Sequence, residues 1–271
     1  MGKNGGAASD YGDAGMASSF AKFVGTRAGE VGGTPQHFET NSLNTGMEKL
    51  GLRGFEGLRV LDAGCGEGRL CREFAAAGAA QVVGCDSSEA MIETAQNTQL
   101  SKPHSATYLL LDVSGSETNS CLTEGGFDLG ISMYALQMAK DRTELQGMCN
   151  FLSRYCERCL VFTVSGTYEP RERQSELMLK EYGFQSLRES GTTDRLRFVM
   201  GESISVLNYQ HSDQSCLECL QEAGFKETGM FDFSGTELFH QQMQELGTDD
   251  AKELLKLYSA NPHAKCFWAK K

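Results

Sequence analysis

The sequence predicts an α/β fold built on a mostly parallel sheet with helices on both faces. Three observations predict it. Short apolar runs of strand length recur between residues 58 and 164, and helical patterns alternate with them. A glycine-rich turn, Gly64-Cys65-Gly66-Glu67-Gly68, leaves the first run directly. Acidic residues, Asp86 and Asp112, stand at the ends of the next two runs, and ligands bind at that edge of open parallel sheets.

Residues 1–16 are rich in Gly, Ala, Ser and Asp and are expected to form a flexible head. Helices are expected over 17–24 and over 41–50, the second capped by Asn41 or Ser42. The first buried strand is expected over 58–62, then the glycine turn, then a helix over 69–77 with Gly78 just past its end. The second strand covers 81–85 with Asp86 at its tip, and Ser87 or Ser88 caps a helix reaching about residue 96. Strands over 107–112, 127–133 and 159–164 follow, with a helix over 142–154 before the last of them. After residue 164 the rhythm changes. A polar helix over 168–183 breaks at Gly183, and runs 196–200 and 204–209 around Gly201-Glu202 read as a hairpin. A helix over 213–223, a strand over 226–233, a polar helix over 237–258 and a final strand over 265–269 complete the chain. The expected organisation is the head, then a single domain over 17–271. That domain has N-terminal helices (17–57), a ligand-binding half (58–164), a cap (165–214) and C-terminal strands and helices (215–271).

With 271 residues, 40% of them hydrophobic, the chain can bury a large core. The net charge of -11 repels phosphate backbones and argues against nucleic acid as a partner. The cluster Arg171, Arg173, Arg188, Arg195 and Arg197 reads as a solvated face mixed with acids. The 10 cysteines lie largely in apolar stretches and no secretory segment is read, so free thiols in a reducing, cytoplasmic compartment are expected. No apolar run approaches the roughly 20 residues that span a bilayer, so no membrane association is expected. Two Cys-x-x-Cys pairs, Cys156 with Cys159 and Cys216 with Cys219, have the spacing of zinc ligands. One straddles a helix end and a strand, and the other lies on an amphipathic helix rather than in a tight turn, so no metal is expected.

The glycine turn separates two ligand classes. A dinucleotide site needs G-x-G-x-x-G, and its third small residue would fall at Arg69. Alternate glycines instead suit a nucleoside without a pyrophosphate. About 20 residues further on, Asp86 can accept both hydroxyls of a ribose. Asp112 can accept from an adenine amino group, and the N–H of Val113 can reach a ring nitrogen.

On these residues the stretch 58–164 resembles the class I S-adenosylmethionine-dependent methyltransferases. The resemblance implies a Rossmann-like, seven-stranded, mostly parallel sheet of order 3-2-1-4-5-7-6, the last strand antiparallel, with a small cap. It also implies S-adenosyl-L-methionine as cofactor and S-adenosyl-L-homocysteine as product. On its motif positions Asp62, Ala63, Gly64, Cys65, Gly66 and Gly68 would hold the methionine part, Asp86 and Ser87 the ribose, and Met91, Asp112 and Val113 the adenine. Ser132 and Met133 end the fourth strand beside the reactive sulfonium, and Tyr11 of the head is expected at the cofactor. Where family members often carry a histidine after that strand, this chain has Gln137. The stretch after residue 164 is reminiscent of toxoflavin-synthase-like and UbiE-like small-molecule methyltransferases.

Methyl transfer from a sulfonium needs alignment and exclusion of water more than it needs a base. Tyr134, Gln137 and His211 are the candidate catalytic residues, with Phe20, His37, Tyr168 and Tyr209 as further candidates around an acceptor. For each aromatic, plain packing is the competing explanation. The expected reaction is direct displacement onto N, O, S or C of a small-molecule acceptor enclosed by the cap. The alternatives are a protein methyltransferase or a non-catalytic module that binds the cofactor.

Overall fold

The computed structural model describes residue 19 and residues 35–100, 106–115, 120–200, 204–232 and 248–271. The expected head with Tyr11, most of the helix over 17–24 with Phe20, the turn at Gly201-Glu202 and residues 233–247 lie outside the described residues.

The chain runs α1 (Pro35–Lys49), β1 (Arg59–Ala63), α2 (Arg69–Ala76), β2 (Gln81–Asp86), α3 (Glu89–Leu100), β3 (Ala106–Leu110) and β4 (Leu129–Met133). There follow α4 (Arg142–Tyr155), β5 (Arg158–Val164), α5 (Glu172–Tyr182), β6 (Phe184–Arg188), β7 (Arg195–Met200) and β8 (Ile204–Tyr209). The last elements are α6 (Asp213–Glu222), β9 (Glu227–Asp232), α7 (Asp249–Ala260) and β10 (Ala264–Lys270).

Seven strands form one sheet in the order β3-β2-β1-β4-β5-β10-β9. The first five are mutually parallel, while β10 runs antiparallel to both β5 and β9. Counted within this sheet, the order is the 3-2-1-4-5-7-6 that the resemblance implied. Strands β4 and β5 are buried almost throughout because helices cover both faces. The two faces carry separate cores, and strand alternation deals neighbouring residues to opposite sides. Val60 of β1 joins Leu43, Phe74, Leu177 and Leu254, from α1, α2, α5 and α7. Its neighbour Leu61 joins Leu145, Leu152, Cys216 and Leu220, from α4 and α6.

Several expected boundaries are corrected. Helix α1 starts at Pro35, not at residue 41, because proline's fixed φ suits a first helical turn. Asn41 and Ser42 lie buried inside it instead of capping it. The expected hairpin forms as β7 and β8, and β6 pairs with β7 to make a three-stranded antiparallel sheet. Gly183, at φ 68°, ends α5 and turns the chain straight into β6. Helix α5 itself begins at Glu172, not at residue 168. β3 stops at Leu110, which leaves Asp112 in the following loop. Phe127 makes a single parallel bridge to Cys156, and β4 proper begins at Leu129. Cys156, Cys159, Cys216 and Cys219 are all buried in the second core as free thiols. Among the described residues no helix is long and apolar enough to cross a membrane.

Candidate functional site

A cleft opens over the C-terminal ends of β1 to β4. Its floor is the glycine turn. The N–H groups of Gly64 and Cys65 both donate to the Cys85 carbonyl, at 2.8 and 2.9 Å, which pins the turn to β2. A side chain on Gly64 would run into the Cβ of Ala135, and one on Gly68 would meet the Tyr108 ring at 2.6 Å. Gly66, at φ 54°, differs: a Cβ there would meet nothing within 4 Å. Two glycines therefore serve packing, and the middle one borders open space.

The three aspartates expected at the cofactor line this cleft. Asp62 is 1% exposed, and burial pushes its carboxyl up to about 7. Asp86 bridges the turn to α3: Oδ2 accepts from the Gly66 N–H at 2.9 Å and Oδ1 from the Ser88 N–H at 2.9 Å. Burial holds it above the usual carboxylate range, with these backbone donors pulling the other way. The hydroxyl of Ser88 accepts from the Met91 N–H at 3.2 Å and so caps α3. Asp112 accepts the Ser114 N–H and hydroxyl at 2.9 and 2.7 Å, both on Oδ1, so its bonds fall on one oxygen.

Of the expected cofactor residues, Asp62, Gly64, Cys65, Gly66, Asp86, Ser87, Met91, Asp112, Val113 and Met133 line this one cleft, and Tyr134 joins them. Tyr134 is the one non-glycine residue with positive φ, 60°, among the described residues. That conformation costs roughly 1–2 kcal/mol for a residue with a Cβ, and the bond from its N–H to the Phe162 carbonyl, 2.8 Å, helps hold it.

Other expected residues stand outside the cleft lining. Ala63 is buried, and its carbonyl accepts from the Ser132 hydroxyl at 3.0 Å within the sheet. Gly68 begins α2 against Tyr108. Gln137 is buried with its amide bonded on both sides, to Asn208 at 2.6 Å and to the Val164 N–H at 3.2 Å. The His211 ring meets the Ala139 carbonyl at 2.8 Å, and burial lowers its pKa. Tyr168 is fully buried beside His263, and Tyr209 lies under the Arg195 guanidinium. The His37 side chain lies outside the described residues.

The cleft also uses residues that sequence reasoning passed over: Glu67, Arg69, Leu70, Ser88, Ser114, Ala135, Met138, Ala139, Glu144 and Met148. The last two come from a tertiary contact. They stand four apart on α4, whose Gly147 has no side chain to collide with the Ser114 carbonyl, so the helix closes on the loop after β3. Glu67 pairs with Arg72 at 2.5 Å, which holds the turn to α2.

The sheet order and the place of the cleft are those that the resemblance to the class I S-adenosylmethionine-dependent methyltransferases implied. Residues 60–156 match the family model of the methyltransferase domain. Among curated relatives, a ubiquinone biosynthesis O-methyltransferase of Mesorhizobium japonicum is 34% identical over 124 residues, 45% of this chain and 47% of the relative. The match thus spans about half of that relative's length. Among solved structures, an S-adenosylmethionine-dependent methyltransferase from Mesorhizobium loti superposes with a TM-score of 0.57 at 19% identity, over 82% of this chain and 95% of that one. A magnesium protoporphyrin IX methyltransferase from Synechocystis, with S-adenosylmethionine bound, gives a TM-score of 0.54 at 18% identity, over 100% of both chains. Likeness at these identities speaks for the fold.

Proposed function

We propose that this chain is an S-adenosylmethionine-dependent methyltransferase acting on a small-molecule acceptor, with a single catalytic domain over residues 17–271 capped by residues 165–214. The observation that carries the reading is the open side of Gly66 in a cleft lined by Asp62 of β1, Asp86 at the end of β2 and Asp112 in the loop after β3. The donor set fits the cofactor. Asp62, a buried carboxylate facing the cleft, suits the ammonium of the methionine part. Asp86, already braced by the Gly66 and Ser88 N–H groups, has lone pairs left for ribose hydroxyls. Asp112 keeps Oδ2 for an adenine amino group, and Met91, Val113 and Met148 offer apolar faces for the ring.

When bound, the cofactor would supply an electrophilic methyl group on a sulfonium: an acceptor lone pair would attack the methyl carbon as the carbon–sulfur bond breaks and S-adenosyl-L-homocysteine leaves. The chain's own contribution is alignment in a site closed to water. Tyr134, held in its strained conformation at the end of β4, is the residue we place nearest the acceptor. Gln137 and His211, with their side chains committed to Asn208, Val164 and Ala139, act on the cleft wall rather than on the acceptor. Net charge of -11 supports a partner other than nucleic acid, and the buried free cysteines support a cytoplasmic setting.

Calorimetric titration with S-adenosyl-L-methionine and S-adenosyl-L-homocysteine tests the cofactor site. A screen of metabolite classes for release of S-adenosyl-L-homocysteine then tests the acceptor. Label from methyl-marked cofactor that appears only on proteins in a size-fractionated lysate would replace the small-molecule reading with a protein acceptor. Binding with no transfer in any fraction would leave a cofactor-binding module.

A further inference from the structure

The Asp62 carboxyl accepts one hydrogen bond among the described residues, and it comes from a thiol. The Sγ of Cys71 lies 3.2 Å from Oδ2. Cys71 stands on the first turn of α2 and is 0% exposed. The sheet makes room for this contact. Asp62 of β1 pairs in register with Gly84 of β2. A Cβ on Gly84 would fall 2.7 Å from the Cys71 sulfur and 2.8 Å from the Cys65 sulfur. A glycine at that one position leaves a hollow of sulfur size beside the acid, and α2 delivers a donor into it.

We propose that Cys71 is a positioning residue for Asp62: its thiol favours the ionised carboxylate and turns it so that it can take the ammonium end of a cationic ligand in the cleft. The ligand identity rests on the methyltransferase reading above, whereas the thiol–carboxylate coupling belongs to the free protein. Burial pushes the Asp62 carboxyl up to about 7, and the Cys71 bond is the largest influence in the other direction. Arg69 also favours the charged form, while Asp86 and Glu73 oppose it. Burial pushes the neighbouring thiols of Cys65, Cys71 and Cys85 up, so all three stay protonated and Cys71 keeps its proton to donate. Near neutral pH the carboxyl is therefore divided between its two forms, and the Cys71 donor, the largest of the influences that favour the charge, shifts the division toward the carboxylate.

An ammonium binds the carboxylate and not the acid. Ligand affinity must then rise with pH through the Asp62 titration and level off above it. The test is S-adenosyl-L-homocysteine binding by calorimetry on the full chain between about pH 5.5 and 9, for wild type, Cys71→Ala, Cys71→Val and Cys71→Ser. Removing the donor should move the profile up by about one pH unit, a roughly tenfold loss of affinity near pH 6.5. The curves should rejoin at the alkaline end, and Cys71→Ser should restore the wild-type profile. Cys71→Val keeps the volume without the donor and stands in should the alanine variant fail to fold.

The carboxyl itself is read independently by carbon-13 NMR of the unliganded protein, where its midpoint should rise in the alanine and valine variants. An affinity loss equal at every pH, or an unmoved carboxyl midpoint, overturns the proposal and leaves Cys71 a packing residue. Failure of wild type to bind S-adenosyl-L-homocysteine at any pH overturns the methyltransferase reading instead, and the NMR midpoint still decides the role of Cys71.

Discussion

Gln137 and Asn208 meet through their side-chain amides, Nε2 to Oδ1 at 2.6 Å, across 71 residues of sequence. Both are buried, and each amide is used twice. Gln137 also accepts from the Val164 N–H at 3.2 Å, and Asn208 donates to the Val206 carbonyl at 3.1 Å. One glutamine thus ties the loop after β4 to the end of β5 and to β8 of the cap. That loop supplies Tyr134, Ala135, Met138 and Ala139 to the cleft. Gln137→Leu would leave the Asn208 oxygen and the Val164 N–H buried and unpaired, at a cost of about 2–4 kcal/mol. Urea unfolding should show that loss, and calorimetry should show weaker cofactor binding from the same change. A variant as stable as wild type would mean that the cap is not anchored there.

The three glycines of the turn should respond differently to one methyl group. Gly66→Ala faces open space, so its stability cost should be limited to about 1–2 kcal/mol of left-handed strain. Its cofactor affinity should fall at least tenfold, about 1.4 kcal/mol or more. Gly64→Ala would collide with Ala135 and force the turn to move, so thermal unfolding should reveal a larger loss of stability there than at Gly66. Wild-type affinity in Gly66→Ala would show that the ligand lies elsewhere.

The parallel half of the fold was legible because its signals are local. Buried strands read as short apolar runs, and the glycine turn and Asp86 sit at spacings set by one strand–helix–strand unit. The cap was less legible. In β6 the buried residue is Ser186 while Leu187 is exposed, so polarity runs against burial and hides the strand. The cleft wall on α4 was missed for another reason. Glu144 and Met148 reach the site only because Gly147 lets the helix touch the loop at Ser114, a tertiary contact with no period in the sequence. Gln137 stands where the resemblance places a histidine, which suggests a chemical role from the sequence alone. Its bonds to Asn208 and Val164 are visible only once strands far apart in sequence are side by side.

Asp86 carries two loads, and a substitution should separate them. Asp86→Ala loses the acceptors of the Gly66 and Ser88 N–H groups, which lie at the cleft and can turn to water. The fold should therefore persist, with a stability loss of about 1–2 kcal/mol. Cofactor affinity should fall by at least tenfold, since no neighbour replaces the carboxylate (about 1.4 kcal/mol per decade). Asp86→Asn keeps one acceptor oxygen and should recover most of the stability but little of the affinity. Unchanged calorimetric affinity in the alanine variant would remove Asp86 from the ribose.

His263 sets the acid limit of the cap. Its ring lies among Tyr168, Phe198 and Phe184, with centroids at 4.9, 5.0 and 5.5 Å, and its Nε2 has no hydrogen-bond partner among the described residues. Desolvation pulls its pKa down to about 3, so the folded protein holds it neutral while the unfolded chain protonates it near 6.5. Between those values the unfolded state binds more protons, so His263 makes stability fall as pH falls, by up to about 1.4 kcal/mol per pH unit. Asp62 acts in the opposite sense. Its folded carboxyl is raised to about 7 from 3.8, so its contribution is greatest at low pH and is lost as pH rises toward 7. The two slopes oppose each other over the same window in wild type. His263→Phe fills the aromatic cage without a titrating group and should expose the Asp62 slope. Relative to wild type, the variant should gain about 1.4 kcal/mol per pH unit below about pH 6.5, or roughly 2 kcal/mol at pH 5. Urea unfolding at pH 8 and pH 5 measures that difference, and an equal gap between the two proteins at both values would mean that His263 already takes its proton in the fold.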